Sequence, residues 1–344
     1  MEIAETPDPL PDGSYKVGLT YNLKKGIKSE VEDLEAEYDN IETINAIKRA
    51  LEKLNCKVEL LEADEGILKK LSTAKTDIVF NIAEGIYGRG REAQVPALLN
   101  FLRIPFVGSD ETTLCVALDK ALAKRLLSTY KIKTPKFQII SDPGMRISSR
   151  LKYPVIVKPN AEGSSKGISD IALADNPEEL KKVLGINFAA YGQSMLIEEF
   201  ISGREFTVGL VGNGDDLRVF SPMEISYRSK ERKNRIYSYN VKRNYKKYID
   251  YHCPAKFEAG QEEKLISAAK KIFKVLECRD FARIDFRMST QGEIYFIEIN
   301  PLPGLAPGYS DYPMIAEFCG ISHKELIKLV LNSALKRYHM AQIV

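Results

Sequence analysis

The chain has 344 residues, of which 44% are hydrophobic and 28% charged, and a formal net charge of only +3. That length suits two or three packed units, and the near-neutral balance excludes a global field that would recruit nucleic acid or a membrane surface. No apolar run approaches the roughly 18 residues of a membrane-spanning helix, and the opening MEIAETPDPLPDG does not read as a signal peptide.

After this Pro- and Asp-rich tail, residues 16–20 (KVGLT) predict a strand, and residues 41–54 a helix with Ile44, Ile47, Leu51 and Leu54 at helical spacing. Further strands are expected at 57–61 and 77–82, the latter with the near-continuous apolar run of a buried parallel strand. Residues 81–90 form a glycine-bearing loop at its C-terminal end, where open α/β sheets bind ligands. A helix at 96–102, a strand at 104–107 and a long helix at 112–130 carrying Asp119-Lys120 complete a parallel sheet covered by helices. No GxGxxG follows the first strand, which disfavours NAD.

The pattern then turns antiparallel. Strands are expected at 154–158, 194–199 and 205–211, with a helix opening at 177–184. Residues 161–167 (AEGSSKG) follow a strand ending in Lys158. Such a small-residue loop can close its backbone N–H groups over phosphates. It reads equally as a plain turn, and GxxxxGK[ST] is absent. Residues 226–252 interleave basic residues with tyrosines. That composition suits single-stranded nucleic acid or a structureless active-site lid, and the near-neutral chain favours the lid. A helix at 262–276 and two more at 312–319 and 324–338 close the chain. The five cysteines are scattered without a CxxC, which predicts reduced thiols in a cytoplasmic protein. The three histidines lack ligand spacing, which disfavours a zinc enzyme or a histidine-based triad.

The chemistry concentrates in residues 281–304, FARIDFRMSTQGEIYFIEINPLPG. Two alternating runs around Gln291-Gly292 predict a β-hairpin. Arg283, Asp285 and Arg287 share one face of its first strand, and Glu298 and Asn300 one face of its second. Asp285, Glu298 and Asn300 can then converge as hard oxygen donors for Mg²⁺, with Arg283 beside them as a fixed fork for a phosphate or an oxyanion. An isolated hairpin could instead present this face to solvent. The following Pro301-Leu302-Pro303-Gly304 turn suits close approach of backbone to a ligand.

Taken in order, IPFVGS and ALDK (104–109, 117–120), VIVKPNAEGSSKGIS (155–169), LIEEFISGREFTV (196–208), YHCPA (251–255), ARIDFR (282–287) and IEINPLPGL (297–305) resemble the ATP-grasp ligases, most closely the D-alanine–D-alanine ligase family. The resemblance implies a mixed α/β (α+β overall) ATP-grasp fold. Its units are an N-terminal parallel-sheet domain (1–118), a central antiparallel domain (119–205), and a C-terminal antiparallel domain (206–344) with a lid at 226–252. It implies ATP with Mg²⁺ or Mn²⁺, small-molecule amino-acid substrates, no nucleic-acid or membrane partner, and compatibility with a homodimer. Lys120 and Lys158 match the lysines on the ATP phosphates. Ser164 matches the serine of the loop over the first substrate, and with Ser165 it belongs to the nucleotide-binding positions; Glu198 and Glu199 match the adenine strand, and Glu205 the acid near the ribose. Asp285, Glu298 and Asn300 match the metal ligands. Arg283, Gly304, Ser164 and Lys242 match catalytic positions, and Ser310 roughly matches the serine at the second substrate's carboxylate.

The amino-acid half departs from the family pattern. YNLKKG replaces its glycine pair and glutamate, leaving Glu37 as a loose candidate. Glu84-Gly85 stands where the family has His-Gly. Lys242-Arg243 replaces its Lys-Tyr pair, so that Tyr239 or Tyr245 must stand in for the tyrosine. An extra carboxylate at Glu84 favours a cationic or longer amine-bearing substrate, and predicts a preference for an amino acid or short peptide other than D-alanine as one partner.

Overall fold

The structure, a computed structural model, describes residues 14–27, 33, 35–163, 172–229 and 237–344. Strand β1 (Lys16–Tyr21) is followed by α1 (Ile41–Glu52), β2 (Lys57–Glu62), α2 (Ile67–Ala74), β3 (Ile78–Asn81), α3 (Gln94–Phe101), β4 (Phe106–Val107) and α4 (Glu111–Leu118). The four strands form a parallel sheet in the order β2-β1-β3-β4. Every residue of β3 is buried, as its apolar run requires of a covered parallel strand. Asn40 caps α1 through the Thr43 N–H, and Ile44, Ile47 and Leu51 face the sheet at helical spacing.

The helix expected over 112–130 is two helices, α4 and α5 (Lys120–Thr129). The break falls at Asp119, whose backbone is extended (φ −80°, ψ 95°) and whose carboxylate accepts from the Leu122 N–H. The apolar spacing runs on across the break because the side-chain cap replaces the lost backbone bond. Lys120 thereby becomes the first residue of a helix.

The second sheet is antiparallel. It comprises β5 (Phe137–Ile140), β6 (Val155–Pro159), β7 (Leu173–Ala174) and, after α6 (Pro177–Tyr191), β8 (Met195–Glu199), in the order β5-β8-β6-β7. Helix α6 starts at an Asn176 cap with Pro177 next to it, and ends at Gly192 in the left-handed region (φ 57°).

The third sheet holds β9 (Gly203–Val211), β10 (Arg218–Val219) and β11 (Met223–Tyr227). After α7 (Tyr239–Arg243) and α8 (Tyr245–Tyr248) come β12 (Ile249–His252), α9 (Gln261–Val275), β13 (Phe281–Ser289) and β14 (Ile294–Asn300). The order is β12-β11-β9-β13-β14, with β10 on β9. Phe206, Val208, Ile284 and Phe286 pack against Leu265, Ala269, Ile272 and Phe273 of α9. Each large apolar side chain buried in this way contributes roughly 1.5–3 kcal/mol. Strict alternation then turns Glu205, Thr207, Arg283, Asp285 and Arg287 to the other face. Helices α10 (Asp311–Phe318) and α11 (His323–Arg337) follow, and α11 packs Leu326, Val330 and Leu331 into the core of the first sheet.

One expectation about a connection also changes. The lid segment is not structureless where it is described. It contains α7, α8 and β12, which pairs with β11, and Val241 packs on Ile225 and Ile249. Residues 230–236 lie outside the described residues.

Candidate active site

Strands β13 and β14 pair as expected at the charged end, but a bulge then shifts the register and sends Phe296, which strict alternation would place with Glu298 and Asn300, into the core. Arg283 lies opposite Asn300 and Asp285 opposite Glu298, with a bulge between Asp285 and Phe286. The Arg283 guanidinium grips Asp285 through Nε (3.1 Å) and Nη2 (2.8 Å). The same group stands 4.0 Å from Glu298 and 3.6 Å from Asp311, a carboxylate that is itself buried. Among the described residues no set of three or more His, Cys, Asp or Glu side chains converges as a metal site. The donor set is therefore two carboxylates and one carboxamide. Asn300 Nδ2 has no hydrogen-bond partner among the described residues, so no contact dictates which amide atom faces the cavity. Such an all-oxygen, incomplete set fits a hard divalent cation that takes its other ligands from phosphate and water.

The cations come from the second sheet and the broken helix. Lys120 is held by its own N–H on the Asn160 carbonyl (3.0 Å), and its Nζ lies 3.5 Å from Glu298. Lys158, on β6, meets Glu198 Oε1 at 2.6 Å, and Lys124 meets Glu198 Oε2 at 3.0 Å. Burial works against every charge here. At Glu298 it is outweighed by Lys120, Lys158, Arg283 and Lys242, which hold the carboxyl down at about 2. At Lys158 the Glu198 and Glu298 carboxylates outweigh burial and lift the ammonium above its ordinary range. Burial dominates at Lys124, which falls to about 8. It also pushes Asp285 up, against Arg283 and with help from Glu298. Of the two facing carboxylates, Glu298 is thus the one held firmly ionised.

Several residues expected at a nucleotide are engaged elsewhere. Glu198 is the shared counter-ion of Lys124 and Lys158. Glu205 accepts from Arg287 (2.7 Å) and from the Tyr227 hydroxyl (2.8 Å). Glu199 accepts from the Lys152 N–H. The backbone of Leu196, Ile197 and Glu198 lies between β5 and β6, which pair with β8 on both sides. Only the end of β8 can therefore offer backbone groups to a base. Ser164 and Ser165 lie outside the described residues.

A cavity of about 700 Å³ runs past Arg283 and Asn300, and is lined also by Lys242, Gly304, Glu84 and Glu92. Burial depresses Lys242, although Asp311 pulls the other way. Gly304 approaches Ser310 so closely that a Cβ there would stand 2.8 Å from the Ser310 hydroxyl, and Ser310 in turn precedes α10 as its N-cap residue. The hydroxyls of Tyr237 and Tyr251 both donate to Asp311 at 3.0 Å, tying the 226–252 segment to α10. Tyr245 reaches the Gly308 carbonyl; for Tyr239 only the backbone is described. A second cavity, of about 1330 Å³, lies between Asn22, Arg89, Asp119 and Gln193, away from the hairpin carboxylates.

Glu37, a loose candidate in the sequence, accepts from the Gly163 N–H at 2.5 Å and from Arg91. It therefore links the N-terminal sheet to the start of the small-residue loop. Sequence reasoning missed Arg91, Glu92, Lys124 and Asp311. Lys124 was accessible in principle, since it lies one helical turn after Lys120. No local pattern marks the others.

The fold is similar to the crystal structure of D-alanine–D-alanine ligase from Bacillus anthracis complexed with ATP. The TM-score is 0.73 at 22% identity, covering 94% of this chain and 99% of that one. VanG D-Ala:D-Ser ligase from Enterococcus faecalis gives a TM-score of 0.72 at 21% identity, covering 93% and 99%. The architecture is accordingly the ATP-grasp fold. In sequence, a family model described as "D-ala D-ala ligase C-terminus" matches residues 129–332. D-alanine–D-alanine ligase from Aquifex aeolicus is 33% identical, over 85% of this chain and 94% of that protein. Uncharacterized protein y4sG of Sinorhizobium fredii is 32% identical, over 86% and 88%. The chain belongs to the D-alanine–D-alanine ligase family, and is an ATP-grasp carbon–nitrogen ligase.

Proposed function

We propose that the cavity beside the β13–β14 hairpin joins the carboxylate of one amino acid to the amine of another, at the expense of ATP and through an acyl phosphate. D-alanine, the substrate in the relatives' names, is the reference substrate. The observation that carries this reading is the opposition of Asp285 and Glu298 on adjacent strands with Lys120 and Arg283 beside them. Asp285, Glu298 and Asn300 would hold a divalent cation, Mg²⁺ or Mn²⁺, which neutralises phosphate charge when bound.

Lys120 and Lys158 are suited to the phosphate oxygens, where positioning and charge stabilisation make up most of the catalysis of phosphoryl transfer. The first substrate's carboxylate attacks the γ-phosphorus, the bond to the β-phosphate oxygen breaks and ADP leaves. The second substrate's neutral amine then attacks the acyl carbonyl, loses a proton, and the tetrahedral adduct collapses with loss of phosphate. Arg283, whose charge its carboxylate neighbours secure, and the N–H of Gly304 are suited to the oxyanion of that step. The Tyr237 and Tyr251 contacts to Asp311 support a lid role for residues 226–252, which would limit hydrolysis of the acyl phosphate. The five cysteines are all free, in keeping with a reducing compartment such as the cytoplasm. ADP release on addition of ATP, a divalent cation and D-alanine tests the reading. Lys158→Ala and Glu298→Ala should each lower turnover at least about 100-fold, whereas wild-type turnover in both variants contradicts the assignment.

A further inference from the structure

Cations (Arg283, Lys242, Arg243, Arg49 and Lys24) and carboxylates both line the amino-acid cavity. The charges that act on Glu84 are the carboxylates of Glu92, Glu37 and Asp39 and one cation, Arg91. Arg91 is already committed. Its Nε and Nη2 donate to Glu37, Nη2 also reaches Glu162 (3.0 Å), and Nη1 donates to the Ala161 carbonyl (2.9 Å). Glu84 follows β3, and Glu92 lies in the turn Arg91–Ala93. Both line the cavity, and Glu92 is only 8% exposed. Neither carboxylate makes a hydrogen bond or ion pair among the described residues. A carboxylate without a direct partner at low exposure is costly, and among the described residues these two, Glu92 buried and Glu84 half-buried, feel cations only through the charges of Arg91 and, for Glu92, Lys120.

An amino acid that sets its carboxylate toward Arg283 brings a single ammonium for Glu84 and Glu92. One ammonium satisfies one carboxyl and leaves the other without a direct partner among the described residues. Resting on the ligase reading above, we propose that one of the two substrates carries a second cationic nitrogen. It is a basic or diamino acid, or a short peptide containing one, held by Glu84 and Glu92. The cavity, at about 700 Å³, falls within the roughly 300–1,000 Å³ of small-molecule sites and has room for a side chain longer than a methyl.

Steady-state ADP release tests this, with D-alanine as the fixed partner and lysine, ornithine, norleucine or alanine in each configuration as the varied substrate. Norleucine matches the lysine side chain without its nitrogen. The expected KM for lysine or ornithine is at least about tenfold below that for norleucine, the worth of one charged hydrogen bond. Glu84→Gln and Glu92→Gln should erode that preference. Equal KM values for lysine and norleucine in the wild type overturn the proposal, and this comparison needs no variant to fold. Turnover of alanine alone overturns it while leaving the ligase reading intact. A preference that survives in both variants overturns the assignment to Glu84 and Glu92. No ADP release with any amino acid removes the ligase reading itself, and the proposal with it.

Discussion

Two groups of charges of low exposure differ in how they are satisfied. Lys158, Glu198 and Lys124 are almost fully buried and compensate one another. Removing one partner from such a set costs about 3–5 kcal/mol because it strands the others. Glu198 is therefore better described as the counter-ion that fixes Lys158 than as a contact for adenine. The Glu84, Glu92 and Asp39 group has no such compensation. Burial, aided by Glu37, raises Glu92 to about 8, and burial raises Asp39 to about 7. Glu84 moves in the same direction, with Glu92 the next cause after burial. Arg91 and Lys120 act against the shift at Glu92, and Glu162 adds to it.

A carboxyl raised in the folded state binds its proton there more readily than in the unfolded chain. Its stabilising contribution is complete below the unfolded value of about 4.3, and is lost as pH rises through the folded value. Stability of the ligand-free protein should therefore fall between pH 5 and 8, and Glu92→Gln should flatten that fall. Urea unfolding of both proteins at the two pH values measures it; an identical fall in the variant contradicts the described environment of Glu92.

At the scale of elements, the decisive feature is the break between α4 and α5. An unbroken helix would carry Lys120 in mid-helix. The break instead sets it at an N-terminus, beside Asn160, which takes its N–H and whose side chain accepts from the Ala121 N–H. Asp119 makes the break tolerable by capping Leu122, and it also faces Arg89 at 3.3 Å. Asp119→Ala should cost about 1 kcal/mol of stability, the usual worth of such a cap, and should raise the KM for ATP more than that for the amino acid. Chemical denaturation and steady-state kinetics check both parts. Unchanged stability together with an unchanged KM for ATP would contradict a role for the cap in setting Lys120. The break was not legible from apolar spacing, although Asp followed by a helical run is itself a cap signal. The hairpin was legible because its first strand alternates cleanly, whereas the bulge that resets β14 and buries Phe296 left no mark in the pattern. The lid was only half legible. Its charge and length suggested a loop, while β12 and the Tyr237–Asp311 and Tyr251–Asp311 contacts depend on strands and helices far away in sequence.

For the whole molecule, the three-sheet plan could be read from strand patterning and motif order, and the similarity to solved ATP-grasp structures matches it. What could not be read is how separate units share a cavity. Asp311 follows the hairpin, Arg91 follows β3, and Glu37 precedes α1, yet all meet the same space or its walls. Contacts of that kind arise from packing between sheets, as where α11 closes on the first sheet, and no local sequence pattern encodes them. The central claim is that a substrate carboxylate is activated by phosphorylation. It is tested most directly with D-alanine, or a better substrate, labelled with ¹⁸O in its carboxylate. One labelled oxygen should appear in the inorganic phosphate released with each peptide bond. Unlabelled phosphate, or release of AMP and pyrophosphate, would contradict it.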